Sequence, residues 1–125
     1  MATSKDMKRD LSLAAYSQKD IEDASIVIVV CTDEKRVEER YGARGKTRYW
    51  LQDTIAAVQN ILLVAYPLGL GSYWVCAFKE EQVRKVIRAS DKMRRVAMIP
   101  VGCPDEAPEA RGRLSLSEIM HKETF

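Results

Sequence analysis

The sequence predicts a three-layer α/β sandwich, a sheet with helices on both faces. Three observations carry that expectation. Helical and strand patterns alternate along the chain in the order helix, strand, helix, strand, helix, strand, helix, and such alternation stacks helices on a sheet. The run at residues 25–31 is β-branched and apolar without alternation, and residues 95–101 are of the same buried type; strands of this kind are covered on both faces. The helix expected over residues 47–66 is apolar almost all round in its second half, so it must be enclosed on most sides.

The elements follow in chain order. Ser4 or Asp6 caps a first helix that runs to about residue 16, with Met7, Leu11 and Ala14 or Ala15 on one face. A short helical turn at residues 18–23 precedes the first strand. Residues 32–46 are highly charged and hold Gly42 and Gly45, which reads as an exposed excursion. The long helix comes next. In a domain this small it finds little cover within its own subunit, so a partner subunit is the expected cover; packing on the sheet of one monomer is the alternative. Pro67 and Gly69-Leu70-Gly71 end it. Residues 72–77 form a short strand, and residues 79–89 an amphipathic helix with Val83, Val86 and Ile87 inward. The strand at 95–101 is stopped by Pro100 and Gly102, and a loop holds Pro104 and Pro108. Ser115 or Ser117 then caps a last short helix with Glu118 in its first turn.

Size and composition narrow the function. The chain has 125 residues, the length of one domain. A net charge of +2, with Lys and Arg interspersed among Asp and Glu, argues against nucleic acid as a partner. No apolar stretch reaches the roughly 18 residues of a membrane helix, and residues 1–6 lack the apolar core of a signal peptide. Cys31, Cys76 and Cys103 form no C-x-x-C pair, so a zinc site is not expected. Reduced, buried thiols in a cytoplasmic protein are the simplest reading.

Motifs that carry side-chain chemistry fail. Residues 42–47, Gly-Ala-Arg-Gly-Lys-Thr, end like a phosphate-binding P-loop, but Arg40 stands where a glycine is needed and no strand directly precedes it. Gly69-Leu70-Gly71 holds two of the three glycines of a dinucleotide fingerprint and leads into a strand rather than a helix. The only histidine, His121, lies in the tail, and no carboxylate pair is marked out as acid and base. If the protein is an enzyme, a bound cofactor carries the reaction.

A resemblance supplies one. The stretch 52–66, Gln-Asp-Thr-Ile-Ala-Ala-Val-Gln-Asn-Ile-Leu-Leu-Val-Ala-Tyr, resembles the central helix of the nitroreductase family. The likeness continues through residues 68–78, Leu-Gly-Leu-Gly-Ser-Tyr-Trp-Val-Cys-Ala-Phe. It resumes at residues 96–104, Val-Ala-Met-Ile-Pro-Val-Gly-Cys-Pro, and at 111–116, Arg-Gly-Arg-Leu-Ser-Leu. Upstream, residues 23–30 resemble the family's strand after its Ala-Pro element, with Ser25 in place of the proline.

The resemblance implies an α+β fold with a mixed sheet flanked by helices, in an intertwined homodimer whose two flavin mononucleotide (FMN) sites lie at the subunit interface. It implies hydride transfer from NADH or NADPH to the flavin and on to an acceptor such as a nitroaromatic or a quinone. Val75, Cys76 and Ala77 match the segment whose backbone lies against the flavin's reactive edge, and Ser72, Tyr73 and Trp74 precede it. For Tyr73 and Trp74, strand packing is the competing role. Arg111 and Arg113 match the basic pair that holds the flavin phosphate, a task suited to guanidinium forks; two solvated loop arginines are the alternative.

The family's N-terminal basic segment and its Pro-Ser-x-x-Asn-x-Gln-Pro-Trp-like segment are not found in this sequence, and Lys8-Arg9 sits too close to the Ser25 strand to stand in for the first. On this reading the chain is one nitroreductase-like domain, N-terminally shortened relative to the family. Two alternatives to a stand-alone enzyme follow. One is a dimeric binding module that has lost flavin; the other is half of a split enzyme completed by a separately encoded chain.

Overall fold

A computed structural model describes residues 1–124 of the chain. Its centre is a sheet of three strands: β1 (Ile26–Asp33), β2 (Gly71–Ser72) and β3 (Met93–Gly102), in the order β1-β3-β2. Both pairings are antiparallel, Ile26 opposite Val101 on one side of β3 and Ser72 opposite Val101 on the other. Isolated antiparallel bridges add Ala2 to Val27 and Val75 to Met98. The mixed sheet implied by the resemblance is therefore, in the described residues, antiparallel throughout.

The two faces of the sheet carry separate cores, because side chains alternate along a strand. Val27, Val29 and Met98 point to one face, where they meet Leu11, Ala14 and Ala15 of the α1 (Lys5–Ala14) region, Ile21 of α2 (Lys19–Asp23) and Val83 of α5 (Glu80–Ile87). Ile26, Ile28, Val30, Ala97, Ile99 and Val101 point to the other, where they meet Val58, Ile61 and Leu62 of α4 (Trp50–Ala65). Helix, sheet, helix is the three-layer arrangement read from the unalternating strands.

Local chemistry sets the helix ends. Ser4, rather than Asp6, caps α1 by accepting from the Met7 N–H at 3.3 Å. After α1 the chain reverses through Tyr16 and Ser17, both in the left-handed region, with the Ser12 hydroxyl donating to the Gln18 carbonyl at 2.7 Å. Ser115 caps the short helix α6 (Leu116–Ile119), and the Glu118 carboxylate returns a bond to the Ser115 N–H at 2.8 Å, a capping box. The bond that the Ser115 hydroxyl donates, and then this backbone one, hold the Glu118 carboxyl below the usual carboxylate range.

Four expectations are corrected. Residues 32–46 are largely exposed as expected, Thr32 and Gly45 excepted, but regular: Glu34–Arg44 is a helix, α3, capped by Asp33 and broken at Gly42 (φ 60°, ψ −144°). Glu, Lys and Arg are good helix formers, so a charged, largely exposed segment can take helical form when its ends are held. Pro100 does not stop β3 but lies inside it, opposite Val27. Met98 exchanges both backbone bonds with Val75; by strand alternation Pro100 turns its missing N–H to the same side. There the ladder lapses at Tyr73 and Trp74, so residues 72–77 form two short pairings rather than one strand. The thiols are not all buried: Cys31 is half-buried, while Cys76 and Cys103 are exposed. Burial pushes the Cys31 thiol up, against the nearby Arg95 charge that lowers it.

Candidate functional site

Helix α4 delivers the chain to the segment singled out by the resemblance. A short 3-10 turn, Tyr66–Leu68, follows it, and Gly69 takes a left-handed conformation (φ 71°) that lets the Leu70 N–H donate back to the Ala65 carbonyl at 3.1 Å. Gly71 then passes close to the end of β3. A Cβ on it would stand 3.2 Å from the Pro104 Cα, so the approach favours glycine.

The six residues that follow point in different directions. Ser72 pairs with Val101. The Tyr73 side chain reaches toward α2, its hydroxyl 3.5 Å from the Gln18 Oε1. Partial burial first, and then the Asp20 carboxylate, push this hydroxyl above the usual phenol range. Trp74 packs on the α4 side of the sheet, with its indole N–H buried and without an acceptor among the described residues. Val75 is held at both backbone atoms by Met98, at 2.9 and 3.0 Å. Beyond it Cys76 and Ala77 are exposed, and their N–H groups donate to no backbone acceptor among the described residues. The Lys79 N–H then bonds the Ala14 carbonyl at 2.9 Å, which ties the far end of the segment to α1. The result is a short ledge, pinned at Val75 and Lys79, in which the Cys76, Ala77 and Phe78 amides donate to no acceptor among the described residues and the first two lie on exposed residues.

Helix α4 and the turn after it, which lead into the ledge, carry uncovered apolar surface. Only Thr54, Val58 and Ala65 of α4 are buried. Leu63 and Val64 are each 60% exposed, and Tyr66 and Leu68 just beyond are 85% and 67% exposed. Much of the apolar side-chain surface of this helix and the turn after it is thus in solvent.

Arg111 and Arg113 lie on the exposed C-terminal segment. The Arg113 guanidinium donates to its own neighbours' carbonyls, Arg111 at 3.3 Å and Gly112 at 3.2 Å. Among the described residues neither arginine is bonded to the Ser72–Ala77 ledge. One folded chain therefore assembles the ledge but does not join the two arginines to it.

The P-loop-like residues are accounted for locally. Gly45–Tyr49 is a π-helical turn, the Lys46 ammonium pairs with Glu38 at 3.2 Å, and the Thr47 hydroxyl donates to the Ala43 carbonyl. A charged cluster escaped the sequence reading. Arg95 is buried on the α5 side, with its guanidinium 3.0 Å from Glu81 and 3.5 Å from Glu80, while the adjacent Arg94 pairs with Glu34 and Glu80. These residues line a cleft of about 440 Å³ with Asp91 and Lys92. The available signal was a pair of arginines opening an apolar strand together with a pair of glutamates opening a helix. No group of three or more His, Cys, Asp or Glu among the described residues is arranged to hold a metal, and no helix among them is long and apolar enough to cross a membrane.

Known proteins share both sequence and fold with this chain. A Methanothermobacter thermautotrophicus protein, provisionally named NADH dehydrogenase/NAD(P)H nitroreductase, is 34% identical over 95 residues, covering 73% of this chain and 46% of its own length. A solved structure from Bacteroides thetaiotaomicron with the same provisional name is 26% identical, with a TM-score of 0.79 over 99% of this chain and 70% of that one. The NfrA1 nitroreductase of B. subtilis shares the fold at 23% identity, with a TM-score of 0.82 over 98% of this chain and 55% of that one. The chain spans about half the length of the curated relatives it matches. The nitroreductase family model matches residues 1–103, and with the ledge, the central helix and the strands all falling within that range, the chain belongs to the nitroreductase family.

Proposed function

We propose that this chain contributes to an FMN-dependent NAD(P)H oxidoreductase of nitroreductase type, working as a homodimer in the cytoplasm. The observation that carries the reading is the ledge: two unengaged, exposed amides at Cys76 and Ala77, pinned on either side and lying at the end of a helix with an uncovered apolar face. Family membership makes flavin the cofactor to test, and the donor set fits it. Backbone N–H groups suit the polar edge of the ring, and among the described residues Arg111 and Arg113 pair with no carboxylate, so they suit a phosphate. Flavin, when bound, supplies the electron chemistry, passing hydride equivalents from NADH or NADPH to a nitroaromatic or quinone acceptor. The chain's own work is to bind, orient and exclude water. The apolar face of α4 supports the homodimer, because contiguous exposed apolar surface marks an interaction site. A partner copy is also the natural source of contact between the arginines and a ledge they do not touch in one chain.

The separation of Arg111 and Arg113 from the ledge among the described residues favours a second reading in which another chain completes the flavin pocket. One titration separates the two. Purified protein is titrated with FMN and followed by quenching of flavin fluorescence, alone and with candidate partner chains. Saturable micromolar binding by the chain alone, weakened about tenfold or more by Arg111→Ala or Arg113→Ala, supports the first reading. Binding only with a partner supports the second. No binding in either case leaves a dimeric module without flavin.

A further inference from the structure

Residues 34–49 are joined to the rest of the molecule in an unusual way. No side chain of α3 is buried. The one buried residue of the stretch, Gly45, is covered from within: its Cβ, if present, would stand 2.3 Å from the Val37 carbonyl oxygen. Other contacts also close on themselves. The rings of Tyr41 and Tyr49 meet edge to face at 5.5 Å, Arg44 lies 5.9 Å over Tyr49, and Lys46 pairs with Glu38 at 3.2 Å. Helix α3 and the π-helical turn thus make a hairpin that packs on itself, folded at Gly42.

Apart from the Trp50 indole N–H, which donates to the Lys46 carbonyl at 2.8 Å, one side chain among the described residues fastens this hairpin to its surroundings. The Arg94 guanidinium pairs with Glu34 at the start of α3 (3.3 Å) and with Glu80 at the start of α5 (3.4 Å). It also lies 5.6 Å over the Trp50 ring at the start of α4. The register shift between Val30 and Cys31 pairs Cys31 with Arg95 and leaves Val96 as the extra residue. Its neighbour Arg95 points inward instead, 6% exposed, and holds α5 through Glu80 and Glu81. So two consecutive arginines divide the work. The buried one fixes α5, and the half-exposed one spans three helices.

We propose that residues 34–49 are a flap, that Arg94 is its latch, and that ionic strength releases it. Arg94 is 48% and Glu34 33% exposed, so dissolved ions screen their attraction. Released, the 11 residues of α3 have no cover and fall short of the roughly 12–15 that an isolated helix needs to persist. Undocking therefore becomes visible as local unfolding. It bares the Trp50 ring and removes the Glu34 wall of the cleft beside Arg95.

The test is native-state hydrogen exchange on the full chain, wild type and Arg94→Gln, from low salt to about 1 M NaCl. The latch predicts that Arg94→Gln speeds exchange of amides 37–44 about three- to tenfold at low salt, and leaves amides 97–101 unchanged. Salt should move the wild type toward the variant and move the variant little. Arg94→Lys keeps the charge but loses the planar fork, and should fall between them. Equal exchange of amides 37–44 in wild type and Arg94→Gln overturns the proposal, as does a salt effect in the wild type that is the same at 37–44 and 97–101. If Arg94→Gln fails to fold, the salt series on the wild type decides alone.

Discussion

The helical layers on the two faces of the sheet are built to different specifications. On one face α1, α2 and α5 are amphipathic and finished: Leu11, Ile21 and Val83 are fully buried, and the polar sides face water. On the other, α4 is far more apolar, yet it buries only Thr54, Val58 and Ala65 and leaves Leu63 and Val64 largely in solvent. Burial of apolar area is the main stabilising term in folding and in association alike. The first layer uses it up within one chain. The second keeps a large share unused, with Leu63 and Val64 each 60% exposed on the side away from the sheet. One sheet thus carries a layer closed within the chain and a layer left open.

Substitutions can break this contrast. The largest effect on stability should come from the finished layer: Leu11→Ala or Ile21→Ala should cost about 2–5 kcal/mol in urea unfolding. Val64→Glu on the open face should leave the stability of a monomer within about 0.5 kcal/mol, yet should shift sedimentation from dimer to monomer and weaken FMN binding with it. If Val64→Glu instead unfolds the chain, α4 is a core helix and the contrast is false. Next in size, Arg113→Ala should weaken FMN by about 1.5–3 kcal/mol while leaving riboflavin, which lacks the phosphate, unaffected; equal losses for both would remove Arg113 from phosphate binding. Ser4→Ala should cost about 1 kcal/mol of stability through the lost α1 cap, and nothing in flavin affinity.

The smallest effect concerns Tyr73, whose hydroxyl is raised above its ordinary range by burial and by Asp20. A group that holds its proton more tightly when folded contributes stability below its unfolded pKa, near 10 for tyrosine. That contribution is lost as pH rises through the higher folded value. Tyr73→Phe should flatten this alkaline decline in unfolding curves taken above about pH 9; an unchanged slope would show that the hydroxyl is not so held.

Much of the fold was legible because it rests on local rules. The Ser4 and Ser115 caps, the inward face of Leu11 and Ala14, the turn at Gly69 and the inward Val83 follow from residue type and spacing. The ledge was legible only through resemblance, since no side chain in Ser72–Ala77 announces its chemistry. Pro100 was misread as a stop because its compatibility with β3 depends on a neighbouring stretch that makes no ladder bonds. Arg94 and Arg95 were passed over because adjacent residues of one strand ordinarily take opposite faces, and only their partners 14 and 60 residues away show what each one holds.

By itself, then, the sequence determined the order of elements apart from α3, most caps and turns, and the need for cover on both faces of the sheet and around α4, since these follow from periodicity and backbone chemistry within a few residues. Tertiary structure decided the antiparallel pairing, the division of Arg94 and Arg95 between flap and core, the exposure of Cys76 and Ala77, and the side of α4 left open. Each of these depends on which distant segments meet, and burial, charge pairing and register are properties of that meeting rather than of either segment alone.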